Sequence, residues 1–122
     1  MEQRTYSDEQ GDGTVLAWEV EQLWEITKSF PIKSVPLGEI GDFDLVTWFD
    51  SGQHLPTCRA VTEHARKIMA AEFEHPVILS ADGHVMDGMH RIAKAWLLGH
   101  ETIEAVQFDE DPEPDERITP RT

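Results

Sequence analysis

The residue types best able to do chemistry here are gathered in one run, Asp87-Gly88-Met89-His90-Arg91. The spacing predicts a strand, a tight Asp82-Gly83 turn, a short second strand, and then a helix whose first turn carries this run. A helix start presents unpaired N–H groups and the positive end of its dipole, both of which attract anions. A glycine there lets a phosphate approach the backbone, and Arg91 adds a guanidinium that binds phosphate or carboxylate in bidentate fashion. The expected chemistry is anion binding, with the Gly88, Met89 and His90 amides as donors and Arg91 as the neutralising charge.

Other side chains admit two readings. Asp87 suits a catalytic base or metal ligand, and equally an N-cap that accepts backbone hydrogen bonds. His84, Asp87 and His90 fall three residues apart, but such steps across a strand, turn and helix do not by themselves converge, so no metal site is assigned. His90, Arg91 and Lys94 share the polar side of their helix, which fits phosphate binding or plain solvation. Thr57 is the expected cap of a second helix whose start, with Arg59, either adds donors to the same ligand or is an ordinary capped terminus. Cys58 lacks a visible partner for nucleophilic work. Trp18, Trp24, Trp48 and Trp96 read as core or dimer-contact residues, with Trp48-Phe49 a candidate wall for stacking a base. His54, His64 and His75 read as surface histidines.

The elements that must position this run follow from hydrophobic period. Residues 1–13 are polar and acidic and read as a flexible leader. Leu16, Val20, Leu23, Trp24 and Thr27 repeat as an amphipathic helix ending near Phe30-Pro31, and the run from Ile32 to Leu37 alternates like a strand. Residues 38–53 mix apolar side chains with turn formers and read as irregular, with one helical turn. A helix follows Thr57, with Val61, Ala65, Ile68, Met69 and Phe73 as its expected buried stripe. Val77-Ile78-Leu79 is a short buried strand, and Met89, Ile92, Ala93, Trp96 and Leu97 form the next helix's apolar stripe, capped by Gly99. Residues 102–108 alternate as a last strand, and residues 109–122 read as an acidic, disordered tail or an arm laid on a partner. The pattern is that of one α+β domain over residues 14–108, with a small mixed β-sheet and packed helices.

Charge bounds the partners. The 122 residues carry 24 acidic and 10 basic side chains, a net charge of -14, which repels a nucleic-acid backbone but leaves room for a local phosphate site. One cysteine allows no internal disulfide and no cysteine-rich zinc site, in keeping with a reducing, cytoplasmic setting. No window is apolar enough for a membrane helix, and the first residues lack a signal peptide's apolar core.

The run from His75 to Leu79, the Asp82-Gly83 turn, Met86 through Ala95, Leu98-Gly99 and the strand ending at Phe108 together resemble the ParB/sulfiredoxin superfamily. The likeness covers residues 30–108, with residues 32–37 and 59–73 falling where that domain places its first strand and the helix before the Pro-Val strand. In that superfamily the helix start binds nucleotide phosphates through a Gly-Glu-Arg-Arg or Gly-Gly-Cys-His-Arg box, or an Asp-Gly-His-His-Arg box in small-molecule kinases that phosphorylate free serine. Gly88, His90 and Arg91 match the second pattern, but Met89 stands where the catalytic cysteine would be and cannot form the sulfur adduct, so sulfiredoxin activity is not expected.

The resemblance implies a nucleotide-binding protein, with ATP or CTP and Mg2+ held at Gly88, Met89, His90 and Arg91, assisted by Arg59 and Thr57. If it is an enzyme, a phosphotransferase acting on a small molecule is implied, with Asp87 or Glu39 as base or metal carboxylate. The alternative is a non-enzymatic adaptor or regulator that binds a protein partner or a second copy. A third reading, a ParB-like DNA-binding or nuclease protein, conflicts with the charge and with the absence of a helix-turn-helix after Phe108.

Overall fold

A computed structural model describes residues 4–49 and 54–119. The short strand Val77–Leu79 (β4) is apolar throughout and buried on both faces, so it sits inside a four-stranded sheet. Lys33–Pro36 (β3), Thr102–Gln107 (β6), β4 and Val85–Asp87 (β5) follow one another across that sheet. β3 and β5 run antiparallel to their neighbours while β4 and β6 run parallel, making the sheet mixed. The parallel pair requires a crossover, supplied by the helix Met89–Leu97 (α3).

Alternation along the strands divides the core into two layers. Val77, Leu79, Ile103 and Ala105 face one side with Ile92 and Ala95 of α3, while Ile78, Val106 and Phe108 face the other with Trp18 and Leu23. The second layer is closed by the helix Val20–Thr27 (α1) and a three-stranded antiparallel sheet. Among the described residues the result is an α+β protein with three α-helices and two sheets.

Three expectations are corrected here. Residues 15–19 form a strand (β2, Val15–Glu19), and the helical pattern begins only at Val20. Leu16 and Trp18 point to the core as alternate strand positions, a period that overlaps the helical one over so short a run. Over its described residues the leader is not free, because Thr5–Glu9 (β1) pairs antiparallel with β2 from Thr5↔Glu19 to Glu9↔Val15, turning at Gly13 with φ +87°. Over its described residues the acidic tail is also ordered. Glu116–Ile118 (β7) pairs with the other edge of β2, Trp18 Nε1 donates to the Pro112 carbonyl at 2.8 Å, and Asp115 Oδ2 accepts from the Glu19 amide at 2.8 Å. Composition misleads at both ends because these short strands gain their stability from backbone pairing rather than from apolar side chains.

Residues 37–49 contain two 3-10 turns, Leu37–Glu39 and Gly41–Asp44. The second presents Asp42, whose carboxylate takes the Val85 amide at 2.8 Å and pairs with His84 Nδ1 at 3.0 Å, pinning the entry to β5. The helix Cys58–Ala70 (α2) starts as expected, with Thr57 Oγ1 accepting from the Ala60 amide at 3.1 Å. Its expected buried stripe is not buried: no residue of α2 is fully covered, and Met69 is 77 % exposed. Trp96 and Leu97 of α3 are exposed as well. Among the described elements α2 packs chiefly on α3, with Trp48 and Phe49 meeting His64 on its flank.

Candidate functional site

Asp87 ends β5 and Gly88 begins α3 as its N-cap, so Asp87 stands one position before the cap that its residue type suggests. Gly88 has φ +117°, and a Cβ there would lie 2.5 Å from Val77 Cγ1 and 3.1 Å from Arg91 Nη2. Packing against β4 is thus sufficient reason for the glycine.

The Asp87 carboxylate is buried and engaged by three donors. Its Oδ2 accepts from Arg91 Nη2 at 2.7 Å and from Trp24 Nε1 at 2.8 Å, and its Oδ1 pairs with Arg4 Nη1 at 3.0 Å. Arg91, expected on the polar side of the helix, is also buried, and its other nitrogen donates to the His75 and Pro76 carbonyls. Burial pulls the guanidinium's pKa down, against the opposing pull of Asp87. The pair clasps α1, β5 and α3 together, so neither group is placed as a free base, metal ligand or phosphate clamp.

Over this clasp opens a cavity of about 440 Å³, walled by Arg4, Trp24, Lys67, Glu72 and the Gly88–Arg91 helix start among others. Arg4, which is half exposed, lies over the Trp24 ring at 5.1 Å, and Trp24 stacks on His75 at 5.6 Å. Lys94 Nζ holds the far end of α2 by donating to the Met69 carbonyl at 3.1 Å and the Ala71 carbonyl at 2.6 Å. This places Lys67 at the cavity rim. The structure thus brings Gly88, Met89, His90 and Arg91 to one cavity with Asp87 beneath it.

Glu39, Thr57 and Arg59 are not among those walls. Glu39 lines a separate recess with Lys33, Gly83 and Gln107. Thr57 and Arg59 lie at the start of α2, about 15 Å and about 12 Å along the helix from Lys67 at the rise of a regular helix.

His90 has a partner that sequence spacing did not reveal. Its Nε2 lies 2.9 Å from Nδ1 of His64, which reaches across from the middle of α2. Trp48 stacks on both imidazoles, with ring centroids 4.6 Å away and interplanar angles of 12° and 8°. Desolvation first, then the charges of His64, Lys67 and Arg4, push His90 down to about 4. His64 is lowered by desolvation and Lys67. Trp48 is therefore stacked, but on this chain's own rings. His84 goes elsewhere, to Asp42, so His84, Asp87 and His90 do not converge. Among the described residues no group of three or more His, Cys, Asp or Glu side chains is arranged to hold a metal ion.

Sequence reasoning missed Arg4, Trp24 and Lys67 as cavity walls. Arg4 was hidden in an apparently structureless leader, and Trp24 on an apolar stripe, though an indole N–H that is buried needs an acceptor and is a usable signal. Comparison with known proteins gives no match to any family model, curated protein or solved structure. No described helix is long and apolar enough to cross a membrane.

Proposed function

We propose that the chain is a ParB/sulfiredoxin-like nucleotide-binding protein that takes the phosphates of ATP or CTP in the cavity at the start of α3. The observation that carries this reading is electrostatic: in a chain of net charge -14, Arg4, Lys67 and Arg91 line one cavity at a helix N-terminus against a single acidic lining residue among those described, Glu72. The Asp87-Gly88-Met89-His90-Arg91 run supports it by resemblance, although the anion's counter-charges become Arg4 and Lys67 while Arg91 supports the floor. The residues do not fit a magnesium ion held by Asp87 or Glu39, since the first is buried and paired with two guanidinium groups and the second lies in another recess. No phosphoryl-transfer step is derived, and transfer to a small-molecule acceptor is the activity to assay.

Calorimetry with ATP, ADP, CTP and GTP, each with Mg2+, tests the reading. Binding of at least one is expected, weakened roughly five- to tenfold by Lys67→Ala, the share of one charge-assisted contact. No heat with any nucleotide overturns it. A non-enzymatic adaptor is the second reading, favoured by the exposed apolar side chains Val61 and Met69 on α2 and Trp96, Leu97 and Leu98 at the end of α3. Sedimentation of the wild type and of Trp96→Glu across a concentration series tests whether a second copy covers it.

A further inference from the structure

We propose that the hydrogen-bonded pair His64–His90 is a proton switch on the cavity at the start of α3: the pair takes up one proton when a phosphate-bearing anion binds there, and nucleotide affinity rises as pH falls through that step. The inference rests on the nucleotide reading and adds the regulation of the same site. His64 Nδ1 and His90 Nε2 lie 2.9 Å apart while the ring centroids lie 5.2 Å apart, so both nitrogens fall on the line between the rings, whose planes differ by 14°. That is the geometry of a straight N–H···N hydrogen bond, in which one ring donates and the other accepts.

The asymmetry of this bond decides what an added proton does. In the neutral pair the donor ring's outer nitrogen carries no hydrogen. A proton added there makes the donor an imidazolium and strengthens the bond by charge assistance. A second proton has only the inner, accepting nitrogen left, so it breaks the bond and sets two like charges side by side. The pair therefore titrates as one unit in two separated steps. His64 is lowered by desolvation and Lys67, and His90 is pushed down to about 4 by desolvation and then by His64, Lys67 and Arg4. Both directions match a first step below 6.5 and a second held well beneath it.

The setting puts the single charge to use. The Trp48 ring is centred 4.6 Å from each imidazole, so it lies over the bond itself, and its π face attracts a cationic pair. Phe49 meets His64 edge-on, and residues 45–49 bring no charged group. His90 lines the cavity with Arg4, Lys67 and Glu72, while Arg91 is paired with Asp87. Lys67 and Arg4 disfavour a proton on the pair. An anion seated against these two cations cancels their field and raises the pair's first pKa, and by reciprocity the proton tightens the anion. His84 is bonded to Asp42 and takes no part.

Calorimetry of the full chain with ATP and with CTP, each with Mg2+, tests the switch. Titrations run in steps from about pH 7.5 to about pH 5 and, near pH 6, in two buffers of different ionisation heat. Expected near pH 6 is an uptake of roughly half a proton beyond that of His64→Gln. Between about pH 7.5 and 5.5 affinity should rise about three- to tenfold beyond the change in that variant, the size of a pKa shift of about one unit. Taking His64→Gln as the reference removes the nucleotide's own protonation. His84→Gln should behave as the wild type does, and thermal melts confirm that each variant is folded. Histidine-ring 15N spectra of the wild type give the same answer without a variant: the His64 and His90 rings should respond together in the first step, at higher pH with nucleotide than without. No heat with either nucleotide overturns the switch together with the nucleotide reading. Binding with equal proton uptake in the wild type and His64→Gln, or rings that titrate at the same pH with and without nucleotide, overturns the switch and leaves that reading standing.

Discussion

Asp87 and Arg91 stand four residues apart across the junction of β5 and α3, and their side chains meet at 2.7 Å with both residues buried. A buried pair of this kind is costly to break from one side, because the remaining charge is left without water or partner. Arg91→Ala and Asp87→Ala are each expected to lower unfolding free energy by about 3–5 kcal/mol. In urea titrations the double variant should be less damaging than the sum of the singles. Additive losses would show that the two groups act separately.

Gly88 carries two constraints at once, a left-handed backbone and a Cβ position 2.5 Å from Val77 Cγ1. Gly88→Ala should cost about 2–4 kcal/mol, combining backbone strain with overpacking. Val77→Ala in the same chain should recover part of that loss, because it removes the nearer of the two clashing carbons. Thermal melts of the two single variants and the double variant check this.

The stacked histidines give stability a pH dependence of definite sign. Unfolded histidine takes up its proton near 6.5, whereas folded His90 does so only near 4. Between those values the unfolded state binds more protons, so stability falls as pH drops through that window. His64, also lowered, acts in the same direction. His84 is raised, chiefly by its hydrogen bond to Asp42, and contributes stability below pH 6.5 that is lost as pH rises through its folded value. For His90 the loss by pH 4 should be on the order of 1–2 kcal/mol, allowing for screening of a partly exposed ring. His90→Gln should flatten the acid limb of a urea-midpoint profile, and His84→Ala should remove the fall in stability that His84 contributes as pH rises above 6.5.

Thr57 caps α2 through the Ala60 amide at 3.1 Å and lies far along the helix from Lys67. Thr57→Ala should cost about 1 kcal/mol of stability and leave nucleotide binding unchanged. A loss of binding in a folded Thr57→Ala chain would place the ligand at the start of α2.

The α+β class and the mixed sheet were legible because β4, β6, α2 and α3 have strong periods and clear stops at Pro76, Gly99 and Thr57. Gly88 to Arg91 line one cavity because they are neighbours in sequence. What sequence could not supply was direction. Arg91 looks like a ligand group on any wheel, yet Asp87 four residues earlier turns it inward. The His64–His90 contact joins residues 26 positions apart, and nothing local in either helix encodes it. The exposed face of α2 shows the same limit, since an apolar stripe records what a helix is able to bury and not whether anything covers it.

β2 is flanked by β1 on one side and β7 on the other, so its two partners come from residues 5–9 and 116–118. Closing the β2–β7 pair brings together segments about 100 residues apart, an entropic cost met only after the rest of the chain has been ordered. In synthesis from the first residue onward, this small sheet cannot be completed until nearly the whole of this sequence has emerged. Arg4, next to β1, pairs with Asp87 and lines the cavity. It adjoins the local β1–β2 hairpin, which needs no residue beyond Glu19 to pair, so during refolding amide protection should reach β1–β2 before β2–β7.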